Sequence, residues 1–153
     1  QSLEGPYDAV VCARVLINLA DLDQQLLALR NMTGLLESGG RLILAEGFTE
    51  GFDALSAQRT AVGLPPLEPA AINFYSSVDD LRGAWEQDFE LEDTFHLGAY
   101  DYLTRVVYPH VAGQANVRHN TNFSERASEL ARAFNPDDFA PLSRMRGFVL
   151  RRR

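Results

Sequence analysis

Tyr7-Asp8-Ala9-Val10-Val11-Cys12-Ala13 and, further on, Arg41-Leu42-Ile43-Leu44-Ala45-Glu46 are the stretches whose reading decides the fold. Both are short, nearly continuous apolar runs, the pattern of strands covered on both faces in a parallel sheet. Between Asp21 and Glu37 the apolar residues Leu22, Leu26, Leu29, Met32, Leu35 and Leu36 recur at three- and four-residue steps, while Asp23, Gln24, Arg30 and Asn31 mark a wetter face. That spacing predicts an amphipathic helix with Asp21 as its N-cap. Gly39-Gly40 is read as the left-handed residue that ends it, before the second strand resumes. The result is a strand, helix, strand unit with a right-handed crossover.

Downstream, Asp53 to Val62 reads as a short helix closed by Gly63 and Pro65-Pro66. Leu64 to Ala71 reads as a loop. Ser77 is placed as the cap of a helix reaching about Trp85, and Phe89 to Phe95 alternates as a half-exposed strand. Tyr100 to Tyr108 is expected to be a helix ending before Pro109, with a strand also permitted by its aromatic and branched residues. Ser124 to Phe134 reads as a late helix capped by Ser124, with Leu130 and Phe134 buried. Arg144 to Leu150 alternates basic and apolar side chains as a strand does.

The chain has 153 residues, 46% of them hydrophobic, enough for one core, so one domain is expected. No apolar run approaches the roughly 20 residues that span a bilayer. Gln1 to Pro6 holds no basic cluster followed by an apolar stretch, so no signal peptide is expected and the protein is placed in the cytoplasm. The chain opens on glutamine, which implies processing, cutting or a start lying outside this sequence. A net charge of −7 argues against nucleic-acid phosphates as partners. All fourteen basic residues are arginine, and the Arg151-Arg152-Arg153 triplet reads as a solvated terminus. The single cysteine, Cys12, lies in an apolar run and reads as a small buried hydrophobe. His96, His110 and His119 share no metal-ligand spacing, so no metal is expected. No serine stands in a nucleophile elbow.

The order of these parts is similar to the carboxyl-terminal half of class I S-adenosylmethionine-dependent methyltransferases. The residues that carry the resemblance are Tyr7-Asp8-Ala9-Val10-Val11, Arg14-Val15-Leu16-Ile17-Asn18-Leu19, the helix, and Leu36-Glu37-Ser38-Gly39-Gly40-Arg41 to Glu46, matching the fourth strand, its helix and the fifth strand. Glu37-Ser38 stands where family members often have lysine and proline. Further likenesses lie at Gly51, Arg59, Gly63-Leu64, Asn73-Phe74-Tyr75, Tyr100, Tyr102, Arg105 to Pro109 and Asn120 to Phe123. The resemblance implies an α/β fold, a Rossmann-like doubly wound sheet of which residues 1–153 form the carboxyl-terminal half. It orders the strands first, second, last, third, with the last antiparallel and inserted between its neighbours. The glycine-rich turn and the ribose-binding acid of the cofactor half have no counterpart in this sequence.

The resemblance further implies S-adenosylmethionine as cofactor and a small-molecule or saccharide-type acceptor, the isolated 153 residues being inactive. Arg14, Val15 and Leu16 would pass beside the cofactor, with a surface ion pair as the other reading of Arg14. Glu46, at the carboxyl end of a parallel strand, would orient an acceptor hydroxyl or act as a base; capping the helix near Asp53 is its alternative. Asn73, Tyr75, Tyr102 and Arg105 resemble acceptor-side positions, although tyrosines at this spacing also serve as core residues. The competing function is a non-catalytic half-domain that acts as a binding or dimerisation module. In either case the Tyr7–Ala13 strand is expected to meet the upstream half of the same polypeptide or a second chain.

Overall fold

A computed structural model describes residues 4–153, so the reading of Gln1, Ser2 and Leu3 lies outside the described residues. In chain order the elements are β1 (Tyr7–Ala13), α1 (Leu22–Leu35), β2 (Leu36–Gly47), α2 (Thr49–Ala61), α3 (Val78–Trp85), β3 (Phe89–His96), α4 (Gly98–Tyr102), a π-helical segment (Leu103–Val107), α5 (Tyr108–Ala112), α6 (Asn122–Ala131) and β4 (Met145–Arg152). They fall into two compact units. The chain up to Phe48, Pro69–Phe95 and Arg146–Arg153 form the first; Thr49–Glu68 and His96–Met145 form the second.

The first unit is a four-stranded mixed sheet in the order β1-β2-β4-β3, the order that the resemblance implies. β1 and β2 are parallel, with Ala9 opposite Arg41 and Ala13 opposite Ala45. β4 runs against its neighbours. Its Gly147 lies beside the ring of Phe95 near the end of β3, while Arg153 N–H donates to the Asp88 carbonyl just before β3 begins. The Arg152 guanidinium likewise reaches the carbonyl of Leu36, the first residue of β2.

The glycine pair is placed differently from the sequence reading. α1 stops at Leu35, and β2 already includes Leu36 to Gly40. Leu36 is extended and 1% exposed, so its burial draws the chain into the sheet before the glycines arrive. Gly39, at φ 80°, instead serves a register irregularity in the strand pairing. A Cβ at Gly40 would lie 2.9 Å from the Glu37 carbonyl oxygen and 3.1 Å from that of Tyr7, so only glycine lets the two strands approach. Asp21 caps α1 as expected, its carboxylate accepting from Gln24 N–H at 2.9 Å.

Leu29 of α1, Leu42 and Leu44 of β2, Val78, Leu81 and Trp85 of α3, and Phe148 and Leu150 of β4 form the core with Leu16 and Phe48. Phe148 meets Phe48 edge-on at 5.6 Å and Trp85 at 5.2 Å. β1 departs from the expected two-faced cover. Cys12 is buried and Val10 half-buried against the core, but Val11 is 68% exposed and Ala13 is exposed, so this edge strand is covered on one face. Ser77 and Asp80 form the reciprocal capping box at the start of α3.

In the second unit α2 starts at Thr49, ahead of the expected Asp53, and Gly51, Leu55 and Arg59 lie on its buried face. The helical run from Gly98 does not end before Pro109 but passes through it. The intervening π segment widens the helix where proline would otherwise crowd the preceding turn. Asp101, 3% exposed, accepts the Arg144 N–H at 2.9 Å and faces its guanidinium at 3.4 Å. In α6 the cap position is Thr121 and Ser124 lies inside the first turn. Ala127 is its buried residue and Leu130, expected to be buried, is 49% exposed; Phe134 lies beyond the helix, stacked on Phe139 at 5.1 Å.

Candidate functional site

The carboxyl ends of β1 and β2 lie side by side, and the chain leaves β1 through a tightly held loop. Arg14 adopts φ 55°, a left-handed conformation that costs a side-chain-bearing residue about 1 kcal/mol or more. It stays paired to β2 through Arg14 N–H to the Ala45 carbonyl at 2.9 Å. The turn points the next three N–H groups toward Glu46. Val15 and Leu16 donate to its Oε1 at 2.8 and 3.1 Å, and Ile17 donates to Oε2 at 3.4 Å. Glu46 is 1% exposed. It therefore holds the N-terminal donors of the 3-10 turn Leu16–Asn18, the place where a carboxylate is most favourable.

The opposite edge of the loop is held just as firmly. Gln25 of α1, 1% exposed, donates from Nε2 to the carbonyls of Leu16 and Phe74, each at 2.9 Å. Its Oε1 accepts from Ser76 Oγ at 2.7 Å. Phe74 N–H donates to the Ile17 carbonyl at 2.7 Å. The segment Asn73–Ser76 is thus tied to the loop, and Tyr75 lies over Gly47, where a Cβ would enter its ring. Asn73 Nδ2 lies 3.5 Å from the Tyr75 hydroxyl. Cys12 Sγ sits 3.4 Å from Glu46 Oε1; burial first, then the Glu46 charge, push its thiol up to about 12.

Six of the expected site residues therefore gather in the first unit: Arg14, Val15, Leu16, Glu46, Asn73 and Tyr75. Arg14 and Val15 present exposed side chains, whereas Leu16 is a core residue at 1% exposure. Glu46 faces the loop backbone with both oxygens engaged, and the turn that it serves is Leu16–Asn18. Tyr102 and Arg105 belong to the second unit, Tyr102 against the Phe139 ring at 5.6 Å and Arg105 at a cavity wall. Gln25 was not singled out from sequence. Its signal was present: it falls within the apolar stripe of α1, between Leu22 and Leu29, where a polar residue must find partners. Among the described residues no three His, Cys, Asp or Glu side chains gather as metal ligands, and no helix is long and apolar enough to cross a membrane.

No family model matches the sequence, and no curated protein matches it. Among solved structures the chain is similar to the MccD protein, at 14% identity over 98% of this chain and 62% of that one, with a TM-score of 0.45. It is also similar to a cyclopropane-fatty-acyl-phospholipid synthase-like protein from Lactobacillus casei ATCC 334, at 15% identity over 97% and 57%, TM-score 0.46. Loganic acid methyltransferase with SAH matches at 10% identity over 98% and 62%, TM-score 0.47. The chain spans less than two thirds of each, and likeness at these values fixes neither family nor activity.

Proposed function

We propose that this chain serves S-adenosylmethionine-dependent methyl transfer to a small-molecule or saccharide-type acceptor, as the acceptor-side portion of a class I methyltransferase domain. The resemblance in Tyr7–Glu46 supports this reading, as does an inserted antiparallel β4 between β2 and β3. The observation that carries it is the loop Arg14–Asn18. It is clamped at the carboxyl ends of two parallel strands, the crevice in which open α/β sheets bind ligands.

The cofactor supplies an electrophilic methyl on a sulfonium. Val15 would meet the cofactor through exposed apolar surface and Arg14 would answer its carboxylate, not the cationic sulfonium, since the N–H groups of residues 15–17 are already committed to Glu46. Glu46 acts as a positioning residue in this reading: it fixes the loop so that acceptor and methyl can align, the main contribution a protein makes to an in-line displacement. To work as a base it would have to release the loop. Asn73 and Tyr75 border the loop and are assigned to the acceptor hydroxyls.

Ultraviolet crosslinking of methyl-labelled S-adenosylmethionine to the complete gene product tests the assignment. Label in the tryptic peptide that holds Val15 to Asn18 is expected; label confined to other peptides would end it. Calorimetric titration of the 153 residues alone should show no micromolar binding, because the glycine-rich contacts are assigned outside this sequence.

A second reading, a non-catalytic dimerisation module, is favoured by one observation: the edge position of β1 with Val11 68% exposed. In both readings the partner along β1 is the upstream half of the polypeptide or a second chain.

A further inference from the structure

The second unit buries a guanidinium for which the described residues supply no counter-charge. Arg59 of α2 is 4% exposed. Its Nε donates to the Pro65 carbonyl at 2.7 Å, Nη1 to the Arg105 carbonyl, and Nη2 to Gln114 Oε1 at 2.7 Å. The Arg105 carbonyl is a natural acceptor, since the residue four positions on is Pro109, which has no N–H to give it. All three acceptors are neutral. Among the described residues no carboxylate lies within ion-pair distance of Arg59.

Three neutral oxygens explain a donor at this place and not a permanent charge. A guanidinium does not shed its proton in a protein, and a buried ion is stable only when something answers its charge. Burial pulls Arg59 below its ordinary value with no acid opposing that pull. Of its five N–H groups three are used, which leaves one on each terminal nitrogen. Arg59 borders a cavity of 340 Å³, within the range of small-molecule sites, together with Thr104, Arg105, Gln114 and His119. Glu68 is the one acid in the wall.

We propose that this cavity binds a small carboxylate, whose two oxygens take the remaining Arg59 donors in a bidentate pair. A monoanion fits better than a phosphate dianion because Arg59 is the buried cation to be answered, the charge of Arg105 already acts on Asp101, and Glu68 opposes further negative charge. The proposal concerns the second unit alone and stands or falls apart from methyl transfer.

The test is calorimetric titration of the 153-residue chain at pH 7 with propionate, propionamide and inorganic phosphate. Propionate is expected to bind, and propionamide to bind at least about tenfold more weakly. Glu68→Gln removes the opposing charge at an exposed position that makes no hydrogen bond among the described residues, and should tighten propionate about fivefold. Arg59→Lys keeps the charge but loses the fork, and should weaken it about tenfold or more. If that variant fails to fold, Glu68→Gln still decides. The proposal is overturned by no propionate binding at millimolar concentration, by equal binding of propionamide, by tighter binding of phosphate, or by unchanged affinity in Glu68→Gln.

Discussion

Replacing Glu46 should destabilise the first unit by an amount that can be worked from its partners. The carboxylate accepts three main-chain N–H groups, at 2.8, 3.1 and 3.4 Å, and is 1% exposed. Glu46→Ala strands those donors, and an unsatisfied buried donor costs about 1 to 3 kcal/mol. Val15 is 54% exposed, so water can serve its N–H, and the 3.4 Å bond is long; the loss should be about 3 to 4 kcal/mol. Glu46→Gln keeps one acceptor oxygen but turns an amide NH2 toward the remaining donor, and should lose about 2 kcal/mol. Against a total stability of roughly 5 to 15 kcal/mol these are large effects. Urea unfolding followed by Trp85 fluorescence reads them directly, because the lone tryptophan is buried in the same core against Phe148. Amide exchange at Val15, Leu16 and Ile17 should accelerate in Glu46→Gln beyond the global change. A Glu46→Ala loss under about 1 kcal/mol, or a Gln variant equal to the parent, would refute the clamp.

Cys12, held up to about 12 by burial and then by Glu46, should resist alkylation at pH 8, where roughly one thiol in ten thousand is ionised. Its native value lies above the unfolded one, so its contribution to stability is intact below about 9 and is lost as pH rises toward 12; fast labelling of the native chain, or stability flat across that window apart from other groups, would contradict this. For Asp101 burial raises the carboxyl and the charges of Arg144 and Arg105 oppose it. Asp101→Ala should cost about 3 kcal/mol by stranding Arg144, and Asp101→Asn less; the stability difference should move in favour of Asn as pH rises from 3.8 through the raised native value, and urea midpoints against pH would expose a fixed gap. Val11→Lys should shift the 153-residue chain toward monomer in sedimentation at low micromolar concentration, since an exposed apolar edge strand pairs readily and lysine blunts it; a parent chain that is already monomeric refutes this.

Elements with strong local periodicity were legible. The stripe of α1, its Asp21 cap and the Ser77 box rest on side chains within one turn of the residue they serve. The sheet order came from resemblance, because no local pattern says that β4 inserts between β2 and β3. Boundaries failed where a distant contact overrode a local signal. Leu36 pulled β2 ahead of the glycine pair, and the π segment carried the helix through Pro109. β1 differs for another reason: its composition suits cover on both faces, but cover depends on what packs on each face, and among the described residues the face of Val11 and Ala13 stays exposed.

The roles of buried polar residues were the least legible, because each depends on backbone brought in from elsewhere. Glu46 was placed correctly at the end of β2, yet its partners exist only because Arg14 turns left-handed and aims three N–H groups at it. Gln25 performs the complementary task for carbonyls, and its amide is matched by Leu16, Phe74 and Ser76 with no charge left over. Arg59 is the third of the kind. It too ties irregular backbone together, at Pro65 and Arg105, and a neutral amide such as that of Gln25 shows how such work is done without an ion. The charge of Arg59 exceeds what its three acceptors require, and the adjoining cavity is where that excess can be answered.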